Sequence, residues 1–191
     1  MMRLFIAAPL PNEIENYLGE IISDLRPEGR DVKWVKASNI HVTLRFLGDT
    51  EERLVPSLKT LIDKTAAGQN AVDTSVSGIG AFPNLRRPSV FWVGLGGGVE
   101  SLADMADRIE QGVRELGFEP ESKRFKPHLT IGRVRRDGDV RRLSQTVESY
   151  RLEPRRFRLN RIVLFQSTLT PQGPIYRRLH ETALETERFE G

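Results

Sequence analysis

The sequence predicts an α+β fold with antiparallel or mixed sheets. Two observations carry that expectation. Strand and helix patterns are interleaved without a regular strand-helix-strand beat, and several strand patterns follow one another directly, at residues 32–35 and 39–47 and again at 157–166 and 175–184. The length of 191 residues allows one domain with a sizeable core, or two small lobes sharing one.

The elements follow from punctuation and periodicity. Residues 3–8 are an apolar run cut by Pro9 and Pro11, too short for a secretion signal and suited to a buried first strand. Pro11 opens a helix with Ile14, Leu18, Ile21, Ile22 and Leu25 at helical spacing, and Pro27 and Gly29 end it. Strands at 32–35 and 39–47 come next. Gly48-Asp49 reads as a turn, and Asp49 or Thr50 as the cap of a helix through Leu54, Leu58, Leu61 and Ile62 that Gly68 stops. Residues 72–79 alternate as a strand, 80–88 read as a loop rich in Gly, Pro and Arg, and 89–95 are a strand with Phe91 and Trp92. Leu102, Met105, Ile109, Val113 and Leu116 mark a long helix between Gly98 and Gly117. A strand at 128–134, a turn at Asp137-Gly138-Asp139, a weak helix to Val147 and a hairpin of 157–166 with 175–184 complete the chain.

Composition narrows the chemistry. There is no cysteine, which removes disulfides, thiolate metal sites and cysteine nucleophiles and fits a reducing cytoplasm. No run approaches the roughly 18 apolar residues of a membrane span. Net charge is +3, yet residues 123–161 hold thirteen Lys/Arg against four Asp/Glu, a polarity that suits a polyanion partner or a solvated arginine-rich surface. Gly94-Leu-Gly-Gly-Gly98 follows a strand but only loosely matches a dinucleotide fingerprint, and no acidic residue follows at the right place.

An internal repeat carries the chemistry. His41-Val-Thr-Leu-Arg-Phe and His128-Leu-Thr-Ile-Gly-Arg share the order His, apolar, Thr, apolar, 87 residues apart. With a strand period of two, His and Thr project from one face while Val42, Leu44, Leu129 and Ile131 anchor the other. If the halves pair with approximate twofold symmetry, two His and two Thr converge on one site. In-line displacement at a phosphodiester needs a base and an acid on opposite sides of phosphorus, and imidazole serves both roles. Threonine hydroxyls and an arginine suit the non-bridging oxygens. A third triplet, His180-Glu-Thr182, has Glu181 in place of an apolar anchor and reads as surface.

These tetrads and their setting resemble the 2H phosphoesterase superfamily, and more closely the RNA 2′,3′-cyclic phosphodiesterase family, historically called 2′-5′ RNA ligase. The likeness spans nearly the whole chain: Arg3-Leu-Phe-Ile-Ala with Pro9 and Pro11, Val32-Lys-Trp-Val35 with the block from Asn39 to Gly48, Gly80-Ala-Phe-Pro83 through Arg87-Pro88 and Phe91-Trp-Val-Gly94, the block from Phe125 to Arg133, and Leu164-Phe-Gln-Ser167 with Gly173-Pro-Ile-Tyr176. The resemblance implies a single domain over residues 1–191 with two pseudo-symmetric lobes and the active site in the groove between them. It implies opening of an RNA 2′,3′-cyclic phosphate to a 2′-phosphate without metal or other cofactor, together with a slow 2′-5′ ligation by an RNA 5′-hydroxyl. It makes His41 and His128 catalytic, and Thr43, Thr130, Arg133 and Phe46 substrate-binding, with Phe46 stacking on the terminal base. Arg133 and Phe46 both stand five residues after their histidine, an odd step that a regular strand would turn away. A bulge near Gly132 and a bend before Gly48 are the expected remedies.

On this reading His41 is the general acid to the leaving 3′-oxygen and His128 the general base to water, with the exchanged assignment open. The expected partners are RNA ends carrying a cyclic phosphate, tRNA fragments among them, bound by a monomer with no membrane association. Three rivals remain. A metallohydrolase lacks a His-Glu-x-x-His or clustered Asp/His motif in this sequence. An RNA-binding module without catalysis would need neither histidine. A sister phosphoesterase would act on a cyclic ADP-ribose phosphate or on 2′-5′ oligonucleotides. A nucleotidyl-transferring ligase is disfavoured, since the nearest Lys-x-Asp-Gly string, Arg135-Arg-Asp-Gly138, offers no nucleophilic lysine.

Overall fold

A computed structural model describes residues 1–186, so residues 187–191 of the expected unit lie outside it. In chain order the elements are β1 (Met2–Pro9), α1 (Asn12–Leu25), β2 (Val32–Trp34), β3 (His41–Thr50), α2 (Val55–Ala66), β4 (Val72–Phe82), β5 (Val90–Leu95), α3 (Val99–Glu115), β6 (His128–Val134), α4 (Arg141–Ser149), β7 (Arg156–Leu159), β8 (Arg161–Thr170) and β9 (Gly173–Ala183).

The strands form one path, β7-β4-β5-β6-β3-β1-β8-β9, with β2 added on β6. Every neighbouring pair is antiparallel. The path divides into two four-stranded arms that meet where β3 touches β6 through one residue pair, Val42 with Leu129. Helices cover the outer faces. α2 and α3 pack on each other and on β8, β9 and β3, and α1 and α4 pack on each other, with α4 against β4. The result is the α+β architecture of two lobes that the sequence predicts. The main apolar cluster draws on both, from Leu4, Ile6 and Leu164 in one arm to Phe91, Val93 and Ile131 in the other. A second, smaller cluster of Phe5, Ala7, Val163 and Phe165, with Tyr176 against it, lies on the opposite face of β1 and β8. β8 is therefore buried on both sides, and its continuous apolar run Ile162-Val-Leu-Phe165 reflects that.

Several boundaries differ from the sequence reading. The turn expected at Gly48-Asp49 is strand: β3 continues until Thr50 pairs with Met2, and Gly48 absorbs the irregularity with φ 69°. Neither Asp49 nor Thr50 caps α2, whose N-cap is Leu54 after a 3₁₀ turn. Residues 80–82 extend β4 rather than starting a loop, because Gly80, Ala81 and Phe82 pair with Trp92, Phe91 and Val90. The single strand expected at 157–166 is two. β7 pairs with β4 in one lobe, and β8 pairs with β1 and β9 in the other, so the chain crosses between lobes at Asn160. The signal was present in the pattern: Phe157 and Leu159 alternate with arginines, then the run becomes continuously apolar.

Candidate active site

The meeting of β3 and β6 sets the geometry. An antiparallel register through Val42 and Leu129 puts His41 opposite Thr130 and Thr43 opposite His128. Val42, Leu44, Leu129 and Ile131 are buried in the main core, so both His/Thr pairs project from the other face, into the groove between the arms. The two imidazoles are near enough that the charge of His128 opposes protonation of His41.

Both strands then break step at the same place. In β6, Thr130 pairs with Trp92 and Gly132 with Phe91, leaving Ile131 as an extra residue. In β3, Thr43 pairs with Ala7 and Arg45 with Ile6, leaving Leu44 extra. Leu44 and Ile131 are each third after their histidine. These bulges reverse the strand parity and return the fifth residues, Phe46 and Arg133, to the groove. Phe46 pairs directly with Phe5, whose ring lies on His41, and it remains 44% exposed. Arg133 is exposed, and its charge acts on both His128 and Tyr176. Gly132 stands at the β6 bulge, as expected, and serves a second end. A Cβ there would meet Val32 Cγ1 at 2.5 Å, so glycine is what lets β2 lie on β6 beside the bulge.

Each imidazole is latched in the same way. His41 Nδ1–H donates to the Asn39 carbonyl at 2.8 Å, and His128 Nδ1–H to the Lys126 carbonyl at 2.6 Å. A carbonyl only accepts, so Nδ1 carries the proton and Nε2 is left to exchange one. Burial pulls His41 down to about 4, against the raising effect of its carbonyl bond, and the charge of His128 lowers it further. Burial also lowers His128; its bond to Lys126 opposes this and the Arg133 guanidinium adds to it. At neutral pH both rings in the free protein are therefore neutral.

Their surroundings differ. His41 stacks on Phe5 with ring centroids 4.8 Å apart and meets the edge of Tyr176 at 5.6 Å, whereas His128 meets the edge of Phe82 at 5.0 Å and stacks on no ring among the described residues. Thr43 is exposed and Thr130 half-buried, and neither hydroxyl has a partner among the described residues. The structure thus brings His41, Thr43, His128 and Thr130 to one face of the β3–β6 contact, with Phe46 and Arg133 following on the same two strands. Tyr176 joins them, a residue the His-x-Thr reasoning did not reach. Its phenol is raised by burial, with Arg133 opposing. Its register against Ser167 across the β8–β9 hairpin is a fact of pairing, which spacing in the sequence does not encode.

Other expectations resolve elsewhere. His180 Nε2–H donates to Asp63 of α2 at 2.7 Å and the Thr182 hydroxyl donates to the same oxygen, so the third triplet fastens β9 to α2, outside the groove. The basic stretch of residues 123–161 is spread over β6, α4, β7 and the start of β8, with Arg158 paired to Asp73 and Arg161 to Glu181. The glycine run closes against β4, where Gly96 exchanges backbone hydrogen bonds with Ser75 and Gly98 opens α3. Among the described residues no group of three or more His, Asp or Glu side chains is placed to hold a metal ion, and no helix is long and apolar enough to cross a membrane.

Comparison with known proteins bears on this geometry. The sequence model of the 2′-5′ RNA ligase superfamily matches residues 10–170. An RNA 2′,3′-cyclic phosphodiesterase of Thermotoga maritima is 33% identical over 184 residues, covering 96% of each chain. One from Archaeoglobus fulgidus is 35% identical over 182 residues, 93% of this chain and 98% of the relative. The crystal structure of TT0787 from Thermus thermophilus superposes with a TM-score of 0.81 at 29% identity, covering 98% of this chain and 100% of that one.

Proposed function

The chain belongs to the 2′-5′ RNA ligase superfamily, and from that premise we propose that it is a phosphodiesterase opening the 2′,3′-cyclic phosphate at RNA ends to a 2′-phosphate, with residues 1–191 acting as one bilobed domain. The observation that carries the reading is the paired geometry. Two imidazoles, each latched through Nδ1, face one groove with an arginine and two threonine hydroxyls that lack a partner among the described residues.

In the proposed reaction His128 Nε2 takes a proton from water as its oxygen attacks phosphorus. The P–O3′ bond breaks, and His41 Nε2 delivers a proton to the departing 3′-oxygen. The position of Arg133 near His128 is what favours this division over the exchanged one. Arg133 keeps His128 a base. His41 is lowered chiefly by burial and then by the charge of the second imidazole, and the negative charge of the incoming phosphate opposes both by favouring its protonated form. Thr43, Thr130 and Arg133 hold the non-bridging oxygens, where developing charge is worth most to stabilise. Phe46 takes the terminal base as a stacking surface. His41 Nε2 takes up its proton from solvent as the phosphate binds, and His128 returns the proton it gained to solvent after the step, so the scheme closes without metal or nucleotide cofactor. If an RNA 5′-hydroxyl replaces water, the same steps give a 2′-5′ linkage driven by ring strain.

The test is product analysis of RNA ending in a 2′,3′-cyclic phosphate, with a chelator present and His41→Ala and His128→Ala as controls. A 2′-phosphate product made by the wild type and lost in both variants is expected. A 3′-phosphate product, or activity retained by either variant, contradicts the scheme.

A further inference from the structure

Beyond the reacting groove, a second cavity of about 300 Å³ lies between the β4–β5 loop and the start of α4, lined by Arg86, Arg87 and Pro88 on one side and Asp139, Arg141 and Ser144 on the other. We propose that it is a phosphodiester subsite that holds an internal backbone phosphate of the RNA strand whose cyclic end lies between the histidines. The inference rests on the RNA reading above.

Three features of this cavity lack an internal explanation and share one remedy, an anion. The side chains of Arg86 and Arg87 have no partner among the described residues, although their backbone N–H groups are fixed by Asn84 Oδ1 at 3.0 and 3.1 Å, which shapes the turn presenting them. Helix α4 begins with Arg141 and Arg142 and has no acid in its first turn, an arrangement its dipole disfavours. Asp139 accepts from the Arg141 backbone and guanidinium, and Asp31 accepts from the Asp139 N–H beside it, so the uncompensated positive charge of the cavity is that of Arg86 and Arg87. Ser144 is only 8% exposed and lines the cavity, and its Oγ lies closed to solvent beneath that lining, unpartnered among the described residues. A buried hydroxyl without a partner costs stability unless something fills the need. Phosphate oxygens satisfy a hydroxyl, two guanidinium groups and a helix N-terminus together.

Its position suits an RNA strand more than an isolated ion. The β4–β5 loop is tied to the far end of β6, with Val90 paired to Arg133 and Val134 N–H donating to Ser89. The cavity therefore lies past Arg133 along the strand that begins at His128, on the order of 20 Å from the imidazole by strand rise. A strand leaving the groove over Arg133 meets Arg86 and Arg87 next, several nucleotides upstream of the cyclic phosphate.

The experiment compares wild type, the double variant Arg86→Ala/Arg87→Ala, and Ser144→Ala on two substrates: a nucleoside 2′,3′-cyclic phosphate and a ten-nucleotide RNA with the same end. The double variant is expected to raise KM for the long RNA about tenfold, with kcat and the mononucleotide KM unchanged. Ser144→Ala is expected to keep Tm at or above the wild-type value while raising the long-RNA KM a few-fold. Equal effects on both substrates, or none on the long one, overturn the subsite. Binding is read separately with a ten-nucleotide RNA ending in an ordinary 3′-hydroxyl. Its affinity should fall in the double variant, and its salt slope should become shallower by about 1.4. That arm stands even if cyclic ends are not hydrolysed, so failure of the activity and failure of the subsite remain distinct. If inorganic phosphate binds the wild type and not the double variant while long RNA binds both alike, the cavity takes a free anion and the RNA assignment is wrong.

Discussion

The groove walls at His41 and His128 are built alike and furnished differently. In each, a histidine donates Nδ1–H to the carbonyl two residues back, a threonine follows on the same face, and a bulge at the third residue returns the fifth to the groove. Around His41 the ring is held among Phe5, Phe165 and Tyr176, and the fifth residue is the apolar Phe46. Around His128 the described residues supply one aromatic edge, and the fifth residue is the cation Arg133. The backbone repeat brings two imidazoles together where β3 meets β6, and the side chains that break the repeat make the two walls chemically different; on the proposed reading that difference orients the substrate.

The largest effect should come from breaking either wall at its histidine. His41→Ala and His128→Ala are each expected to lower kcat by at least about 10², with RNA affinity largely kept, in single-turnover and binding assays. A large loss from one and a small loss from the other would mean that the repeat is structural in one half. The walls should also differ in acid. Because His41 is held at about 4 against an ordinary 6.5, the folded protein binds fewer protons there than the unfolded chain. Stability from this group is present above pH 6.5 and lost as pH falls towards 4. His41→Asn should remove that loss, gaining at most about 3 kcal/mol on the wild type between pH 7 and pH 4 in denaturant titrations. Parallel titration curves would contradict it.

The fifth residues sharpen the contrast. Arg133→Ala should cost about 10² in kcat/KM, chiefly through kcat, because its charge is needed most as charge builds on phosphorus. Phe46→Ala should raise KM about tenfold with kcat nearly unchanged, through lost stacking on the terminal base. The reverse pattern would assign the two residues each other's work. The smallest effect is expected at the third triplet. His180→Ala should leave kcat unchanged and cost about 1 kcal/mol in thermal or denaturant unfolding, since it removes one partly exposed bond between β9 and α2.

Much of this was legible beforehand because burial writes itself into the sequence. The alternation at Val42, Leu44, Leu129 and Ile131 marked the anchored face, and helix periodicity placed α1 and α3 closely. What was illegible depends on pairing. The bulges at Leu44 and Ile131 appear only when β1 and β5 are laid beside their partners, which is why Phe46 and Arg133 stood at the wrong parity. A further irregularity in the β8–β9 register, between residues 178 and 180, turns His180 to α2 while Tyr176 faces the groove. Asn160 breaks one apparent strand into two because its halves find partners in different lobes, a long-range choice that local propensity does not contain.

A crystal structure of the enzyme with a uridine–vanadate complex tests the central claim most directly. Vanadate adopts the trigonal-bipyramidal form of the displacement, with two apical oxygens on opposite sides of vanadium. His41 Nε2 and His128 Nε2 should each lie at about 2.6–3.2 Å from a different apical oxygen, with Thr43, Thr130 and Arg133 on the equatorial ones. An anion held by one imidazole alone, or two imidazoles on the same apical oxygen, would contradict it.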